Sequence, residues 1–392
     1  MAGEVAAAYP DDPLTYALLG SAFYNTGQSD EAGMHLKRCL ELRPDMVEAY
    51  DILARIAYEK GEPEETIRLC IEALKRGPAS SEVANRLGRA QMDLGKTEEA
   101  VRTLQQAVGL PDATSEGWYL LGQAHMQAGD FQKAKQAFLQ TIERLPDHTQ
   151  AFFGLFTACQ RLGLTEEAGR HRDQFQKLEA MDRKSLTDRS AQEDTLTGLP
   201  MVRETVARTL FGAAQIHRMH EQQPKAAALY RRAAGLDAAN PMYRSTLEAL
   251  YLQAGDSAGG VLAFEALAAE QPGNSLNFFF LGRLQVRLEK FDAAERSFQR
   301  VQQLDPQWPE GFRALAELYL RTNRKLDQAR LLAEKAVTLD PTDSHYYWLA
   351  VARAQTKDQP GALDAIRRAL ALSPNDARYK QLEEQLRTPS QP

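Results

Sequence analysis

The sequence has few cysteines, no long apolar run and no strong excess of positive charge. Its 392 residues include only 3 cysteines, too few for a disulfide framework. No stretch approaches the roughly 18 apolar residues that a membrane-spanning helix needs. The formal net charge is −6, so binding to nucleic acid, which depends on neutralising phosphates, is not expected. Hydrophobic residues make up 43% of the chain and charged residues 26%, which is typical of a folded protein.

Charge is distributed unevenly along the chain. Residues 1–175 carry 18 Lys and Arg against 26 Asp and Glu, whereas residues 176–392 carry 29 against 27. Neither half is basic enough to predict a nucleic-acid partner.

One set of residue types recurs every 34 residues. In the first half, the pairs are Leu19-Gly20, Leu53-Ala54, Leu87-Gly88, Leu121-Gly122 and Leu155-Phe156, and a glycine follows each pair at Gly27, Gly61, Gly95, Gly129 and Gly163. In the second half, the pairs are Ala213-Ala214, Leu247-Glu248, Leu281-Gly282, Leu315-Ala316 and Leu349-Ala350. Prolines such as Pro44 and Pro306 close the units, and one extra residue near Asn323–Leu326 lengthens one of them. Such a period indicates a repeat protein.

Each unit predicts two amphipathic helices joined by a short turn. Small residues such as Gly20 and Gly282 would let the two helices approach closely. A single unit cannot bury its apolar face, so neighbouring units are expected to stack into a solenoid.

Two units carry the pattern most completely. They contribute Trp118, Leu121, Gly122, Ala134, Phe138 and Pro146, and Phe278, Leu281, Gly282, Ala294, Phe298 and Pro306. With them the sequence resembles the tetratricopeptide repeat (TPR) family over roughly residues 13–374. The resemblance implies an all-α, right-handed superhelical solenoid of about ten helix-turn-helix repeats. Thr66, Glu248 and Gly260 depart from the family pattern and weaken single units.

The period breaks near residues 176–203. Gln176–Lys184 is expected to prolong the preceding helix, and the polar Ser185–Pro200 to form a linker or exposed loop. Two interpretations of these extra residues stay open. They are a tolerated insertion without a role, or they form a hinge or an element that contacts a partner. The chain is predicted to divide into a remnant of an upstream repeat helix (1–12), a first array of about five repeats (13–175) and an extended helix with a linker (176–206). A second array of about five repeats (207–374) and a capping helix with a tail (375–392) follow.

The two ends also fit the pattern. Glu4–Pro10 resembles the tail of an upstream repeat helix, so the natural chain is expected to be longer. No signal peptide is present in the given sequence, and the compartment stays unassigned. Ala377–Arg387 predicts a polar capping helix.

One segment matches a catalytic motif. Gly255–Gly260 fits the G-x-S-x-G sequence of α/β-hydrolases. That motif requires a strand before the serine, whereas Met242–Ala254 predicts a helix. We therefore expect Ser257 to cap the second helix of its repeat, and we expect no catalysis.

Metal and cofactor signals are equally weak. His217 and His220, followed by Glu221, lack the further ligands that zinc requires, and His217 occupies a core position. The three cysteines Cys39, Cys70 and Cys159 also fall on core positions and are expected to be inert thiols. A phosphate-binding loop is absent. The sequence therefore predicts no metal, no cofactor and no enzyme.

The resemblance also implies where a partner would bind. In the family, the first helix of each repeat lines the concave groove with its second, fifth, ninth, twelfth and thirteenth residues. In the second array these are Arg208, Phe211, Arg218, Phe279, Arg283, Arg287, Arg313, Arg321 and Tyr347. In the first array they include Arg55, Asn85, Arg89, Tyr119 and Gln123. Arginines interleaved with aromatics favour an acidic or carboxylate-ended peptide, although exposed arginines often serve solubility alone.

A known carboxylate clamp of the family is largely missing here. The matching positions hold Ala17, Ser21, Asp51, Glu82 and Arg86 in place of the Lys and Asn of that clamp. Recognition of chaperone tails by this arrangement is therefore not expected.

These observations predict a non-catalytic scaffold that binds a protein or peptide in its groove. An alternative is the interaction arm of a larger multidomain enzyme or of a secretion or assembly machine. The oligomeric state is not fixed by the sequence, and end-on self-association stays open.

Overall fold

The chain is all-α over the part that the computed structural model describes, residues 2–192 and 198–387, with side chains described for 3–183 and 200–387. It forms two compact units, Met1–Thr205 and Val206–Pro392. No helix within these described ranges is long and apolar enough to cross a membrane.

The helices follow the predicted two-per-repeat pattern. Up to the break in the period they are α1 (Ala2–Ala8), α2 (Pro13–Asn25), α3 (Ser29–Leu42), α4 (Val47–Glu59), α5 (Pro63–Arg76), α6 (Ser81–Asp93), α7 (Thr97–Ala107), α8 (Ser115–Gln127), α9 (Phe131–Arg144), α10 (Thr149–Arg161) and α11 (Thr165–Gln192). After it they are α12 (Gly198–Met219), α13 (Gln223–Leu236), α14 (Pro241–Gln253), α15 (Ser257–Glu270), α16 (Ser275–Arg287), α17 (Phe291–Leu304), α18 (Pro309–Arg321), α19 (Leu326–Leu339), α20 (Asp343–Gln355), α21 (Gln359–Leu372) and α22 (Ala377–Arg387).

Local signals set the helix ends. The side chain of Asn274 accepts a hydrogen bond from the backbone N–H of Leu276 and so caps α16, as short polar residues do at helix starts. The turn glycines of the first unit have left-handed backbones, with φ of +77° at Gly27, which glycine adopts without steric cost. Asn323 and Lys325 both have positive φ, 52° and 50°, and together they accommodate the extra residue predicted in that turn.

The small residues do allow close helix packing. A Cβ on Gly20 would lie 2.4 Å from Leu36 Cγ, and one on Gly282 would lie 2.5 Å from Phe298 Cε1. Both distances are shorter than van der Waals contact, so these positions require glycine for the packing observed.

The cores of the two units differ in continuity. In the second unit, one apolar cluster extends from Ala207 to Leu386. In the first unit, the buried apolar residues form three separate clusters. In both units, stacked helix pairs bury the alanines, leucines and aromatics of the repeat, as a solenoid requires.

The break in the period is more helical than predicted. Helix α11 includes the predicted extension through Lys184 but continues to Gln192, and α12 begins at Gly198. The prediction of a linker over Ser185–Pro200 is therefore wrong for Ser185–Gln192 and for Gly198–Pro200, and residues 193–197 lie outside the described residues.

Both chain ends carry the predicted helices. Helix α1 contains Val5, which is buried. Helix α22 has the predicted bounds, Ala377–Arg387, and buries Tyr379 and Leu386. These two apolar contacts attach α22 to the last repeat, as expected of a cap.

Candidate binding grooves

A groove in the second unit lies between the first helices of two adjacent repeats, α16 and α18. It contains a cavity of about 330 Å³. Its walls are formed by Phe279, Arg283, Val286, Phe298, Arg313, Ala314, Glu317, Leu318 and Arg321. Four of the residues predicted from the repeat register, Phe279, Arg283, Arg313 and Arg321, therefore meet at one place.

The arginines of α18 are already paired with carboxylates. Glu317 accepts from Arg313 Nη1 at 2.8 Å and lies 2.6 Å from Arg321 Nη2. Arg313 Nε also donates to Glu310 at 2.6 Å. These partners stand three or four residues apart on one helix, where side chains are neighbours. The cations are thus held in place, and the two glutamates Glu310 and Glu317 balance the charge of Arg313 and Arg321 one for one.

Arg283 differs because its carboxylate partner comes from another repeat. Its Nε lies 3.1 Å from Glu248 Oε1 on α14, and its guanidinium carbon lies 5.8 Å from the ring centroid of Phe279. The Glu248 side chain is 6% exposed and that of Arg283 48%. Burial raises the pKa of Glu248, and the neighbouring Arg283 offsets part of the rise.

The other predicted residues of the second unit do not line this cavity. Phe211 packs its ring 5.1 Å from the centroids of both Tyr230 and Tyr243. Tyr347 stacks on Tyr379 at 5.2 Å. Arg208 and Arg218 lie on α12, and Arg287 is exposed one turn beyond Arg283 on α16.

The first unit also contains a groove, which consists of two adjoining depressions of about 330 and 460 Å³. Tyr58 and Arg89 line both depressions. The predicted Asn85 lines the smaller depression. Tyr119 and Gln123 line the larger one and are joined by a 2.8 Å hydrogen bond.

Ion pairs bridge successive repeats along this groove. Arg55 donates to Glu82 at 2.6 Å, and Arg89 pairs with Glu116. In each pair the arginine stands at the ninth position of one repeat and the glutamate at the second position of the next. The positive charge of the arginines in this groove of the first unit is therefore also partly neutralised by carboxylates of the same groove.

Sequence reasoning missed three carboxylates that pair with the arginines of the groove between α16 and α18. Glu310 and Glu317 stand at the second and ninth repeat positions, so the register itself would have found them. Glu248 stands at the eighth position, which the family fills with a small residue, and no local signal places it near Arg283.

The hydrolase-like segment lies in the turn between α14 and α15. Ser257 is the first residue of α15 and is buried, while Asp256 is the cap, accepting a hydrogen bond from Gly259 N at 2.8 Å. The prediction that Ser257 caps the helix is wrong, because the longer aspartate reaches the third backbone N–H. Helix α14 precedes the serine where the hydrolase motif requires a strand.

The cysteines occupy the predicted core positions. Cys39, Cys70 and Cys159 are all buried, and burial raises the pKa of Cys39 and of Cys70 to about 11. A thiol with a raised pKa forms little of the reactive thiolate. His217 is likewise buried, 8% exposed.

One group of metal-type donors was not anticipated. The donor atoms of Cys159, Glu167 and His171 lie within 4.8 Å of one another. The ammonium of Lys135 contacts the Glu167 carboxylate, so a cation of the chain already holds that ligand.

Comparison with known proteins places the repeats in a family. Models of the tetratricopeptide repeat match residues 14–46, 53–117, 85–149, 119–170, 249–309, 279–344 and 313–377. No curated protein sequence matches the chain.

Three of the solved structures similar to the chain are those of MamA, YrrB and yeast Tom70. MamA is 25% identical over 42% of this chain and 97% of its own, with a TM-score of 0.41. YrrB, described as a TPR protein with an unusual peptide-binding site, is 19% identical over 48% of this chain and 98% of its own, with a TM-score of 0.43. Yeast Tom70 is 15% identical over 97% of this chain and 95% of its own, with a TM-score of 0.41.

Proposed function

The chain belongs to the tetratricopeptide-repeat family, and on that premise we propose that it is a protein-interaction scaffold whose groove between α16 and α18 binds an acidic peptide segment. The observation that carries the proposal is the meeting of Arg283, Arg313 and Arg321 around one cavity of about 330 Å³. Guanidinium groups bind carboxylates through two parallel hydrogen bonds, so three of them favour an acidic ligand.

The apolar floor of the cavity adds to this preference. Phe279 is 6% exposed and Phe298 2% exposed, so both rings are part of the core and expose little surface to the groove. A side chain that combines methylene groups with a carboxylate, as Glu does, matches this floor and the arginines above it.

Glu317 indicates the geometry that a bound carboxylate would adopt. Its two oxygens lie 2.8 Å from Arg313 Nη1 and 2.6 Å from Arg321 Nη2. An acidic side chain of a partner has the same chemistry and would reach the half-exposed Arg283 first. The pairs within the groove keep the arginines ordered, which lowers the entropy lost when a ligand binds.

Selection from a random peptide library tests the proposal. We expect wild-type protein to enrich sequences rich in Asp and Glu. Reversing the charge with Arg283→Glu and Arg287→Glu together should weaken binding of a selected peptide by more than about tenfold, because losing one charge-assisted hydrogen bond costs about 1.5–3 kcal/mol.

A matched control keeps the same change of net charge. Arg296→Glu with Arg300→Glu alters two exposed arginines on α17, the second helix of the same repeat. This control should bind the selected peptides nearly as wild type does. Enrichment without acidic residues, or equal loss in both double variants, would refute the groove as the site.

A further inference from the structure

Glu248 occupies a position that its neighbours fill with small residues. The equivalent residues of the next two repeats are Gly282 and Ala316, where a small residue lets the paired helices touch. The side chain of Glu248 is nevertheless only 6% exposed. A buried carboxylate is costly unless it has a partner.

That partner is a residue of the groove. Arg283 Nε lies 3.1 Å from Glu248 Oε1, and among the described residues Arg283 is the charged group that acts on this carboxylate. The same guanidinium lines the cavity between α16 and α18, and its side chain is 48% exposed. The Arg283 guanidinium therefore pairs with a buried carboxylate and also lines an open groove.

We propose that Glu248 competes internally for Arg283, so that an acidic partner which takes over this guanidinium causes Glu248 to take up a proton. The inference rests on the proposed function and adds a regulation of the same groove. The proton comes from the solvent and neutralises the carboxylate that has lost its counter-ion.

The physical argument concerns the cost of an unpaired buried charge. Burial already raises the pKa of Glu248, and Arg283 counteracts part of the rise. A ligand carboxylate that binds Arg283 weakens this counteraction and adds a second negative charge nearby, so the pKa of Glu248 rises further. Uptake of one proton makes affinity increase as pH falls, by up to about tenfold per pH unit.

Glu317 provides a contrast within the same groove. It also pairs with groove arginines, but its side chain is 21% exposed and contacts two guanidinium groups, those of Arg313 and Arg321. When a ligand competes for one of them, Glu317 keeps the other and some contact with water. Its removal is expected to raise affinity for an anion without changing the pH dependence.

The test uses fluorescein-labelled hexaglutamate, with hexaglutamine as the neutral control peptide. Dissociation constants are measured at pH 7.5, 6.5 and 5.5 for wild type, Glu248→Gln and Glu317→Gln, where the glutamates of the peptide, with a pKa of about 4.3, stay mostly ionised. Circular dichroism confirms that each variant is folded, and calorimetry in buffers of different ionisation enthalpy counts the protons taken up.

We expect wild type to bind hexaglutamate more tightly at pH 5.5 than at pH 7.5, by about threefold to tenfold beyond the change seen in Glu248→Gln. Glu248→Gln should bind hexaglutamate several-fold more tightly than wild type at pH 7.5. Glu317→Gln should show the same change of affinity with pH as wild type.

The contrary outcomes separate the two proposals. If wild type and Glu248→Gln bind with the same pH slope and take up the same number of protons, the inference about Glu248 fails while the acidic ligand stands. If no variant prefers hexaglutamate to hexaglutamine, the proposed function fails, and the inference falls with it.

Discussion

Arg244 is a fully buried arginine whose hydrogen-bond partners are all neutral. Its Nε donates to Asn277 Oδ1 at 2.7 Å, and its Nη2 donates to the carbonyl of Ala234 at 2.9 Å and to Gln271 Oε1 at 2.7 Å. Burial lowers the pKa of Arg244 to about 10. The residue stays ionised at neutral pH, and the hydrogen bonds of its planar guanidinium group connect α13, α14, α15 and α16.

Replacing Arg244 with methionine should therefore destabilise the second unit. We expect a loss of about 3 kcal/mol in the free energy of unfolding, because the variant leaves buried acceptors without donors. Arg231→Met is the control: Arg231 makes an ion pair with Glu270 at 3.0 Å, with side chains 37% and 53% exposed, and such surface pairs contribute less than about 1 kcal/mol. Urea denaturation measures both, and an equal effect of the two changes would contradict the role assigned to Arg244.

Arg244 and Glu248 also show which features the sequence could not predict. The helix pairs, the glycine turns and the close contact at Gly282 depend on residues within one 34-residue unit, so the repeat register predicted them. Arg244 stands at a position where other repeats carry aromatics such as Tyr50 and Phe278, and its partner Asn277 lies 33 residues further on. Neither residue type nor spacing signals such a contact between repeats.

At the scale of helices, His345 connects α20 to α18. Its Nδ1 lies 2.6 Å from the carbonyl oxygen of Asp340 and must carry a hydrogen to donate there, while its Nε2 lies 3.3 Å from Glu310 Oε1. Both ring nitrogens thus face acceptors, which favours the imidazolium. Burial alone would lower the pKa of His345, but the nearby Glu310 carboxylate and the hydrogen bond to the Asp340 carbonyl raise it above its ordinary value.

This pair predicts a pH dependence of stability. The contacts with His345 and Arg313 lower the pKa of Glu310 to about 2. The contribution of Glu310 to stability is therefore present above its unfolded pKa of about 4.5 and is lost as pH falls towards 2. A histidine with a raised pKa stabilises the fold below its unfolded pKa of about 6.5, and this contribution is lost as pH rises through the folded pKa. The contributions of Glu310 and His345 to stability are therefore both fully present between about pH 4.5 and 6.5.

The variant His345→Gln isolates the histidine. At pH 5.5 it should be less stable than wild type by on the order of 2 kcal/mol, the usual contribution of a hydrogen bond to a charged group. At pH 9 the difference should shrink, because wild type has lost the imidazolium. Urea denaturation at the two pH values measures the difference, and a gap that is constant or wider at pH 9 would show that His345 is buried as the neutral ring.

The helix α11 shows a limit of prediction at this scale. Its first part, through Lys184, was expected to be helical, but the polar sequence that follows was expected to be a loop and is helical to Gln192. Polar residues such as Lys, Arg and Gln have high helix propensity, so polarity alone does not indicate a loop. The absence of an apolar stripe from a stretch of sequence is therefore no evidence against a helix.

At the scale of the whole molecule, the two units should respond separately to damage in their cores. Phe298, 2% exposed, belongs to the continuous cluster of the second unit, and Phe138, 1% exposed, belongs to a cluster of the first. Each phenylalanine contacts a glycine of its own repeat, Gly282 and Gly122 respectively. The two sites are thus matched in packing and differ in unit.

Phe298→Ala should cost about 3–5 kcal/mol, as large-to-small changes in cores do, and Phe138→Ala should cost a similar amount. In a repeat protein each unit is stabilised by its nearest neighbours, so amide hydrogen exchange should accelerate in α16–α19 for Phe298→Ala and in α8–α11 for Phe138→Ala. Exchange in the other unit should stay close to the wild-type rate, because stabilisation by nearest neighbours fades with distance along the repeat array. Equal acceleration of both units by either variant would instead show that the chain opens as one cooperative solenoid, in which a partner bound to one groove would stabilise the other groove as well.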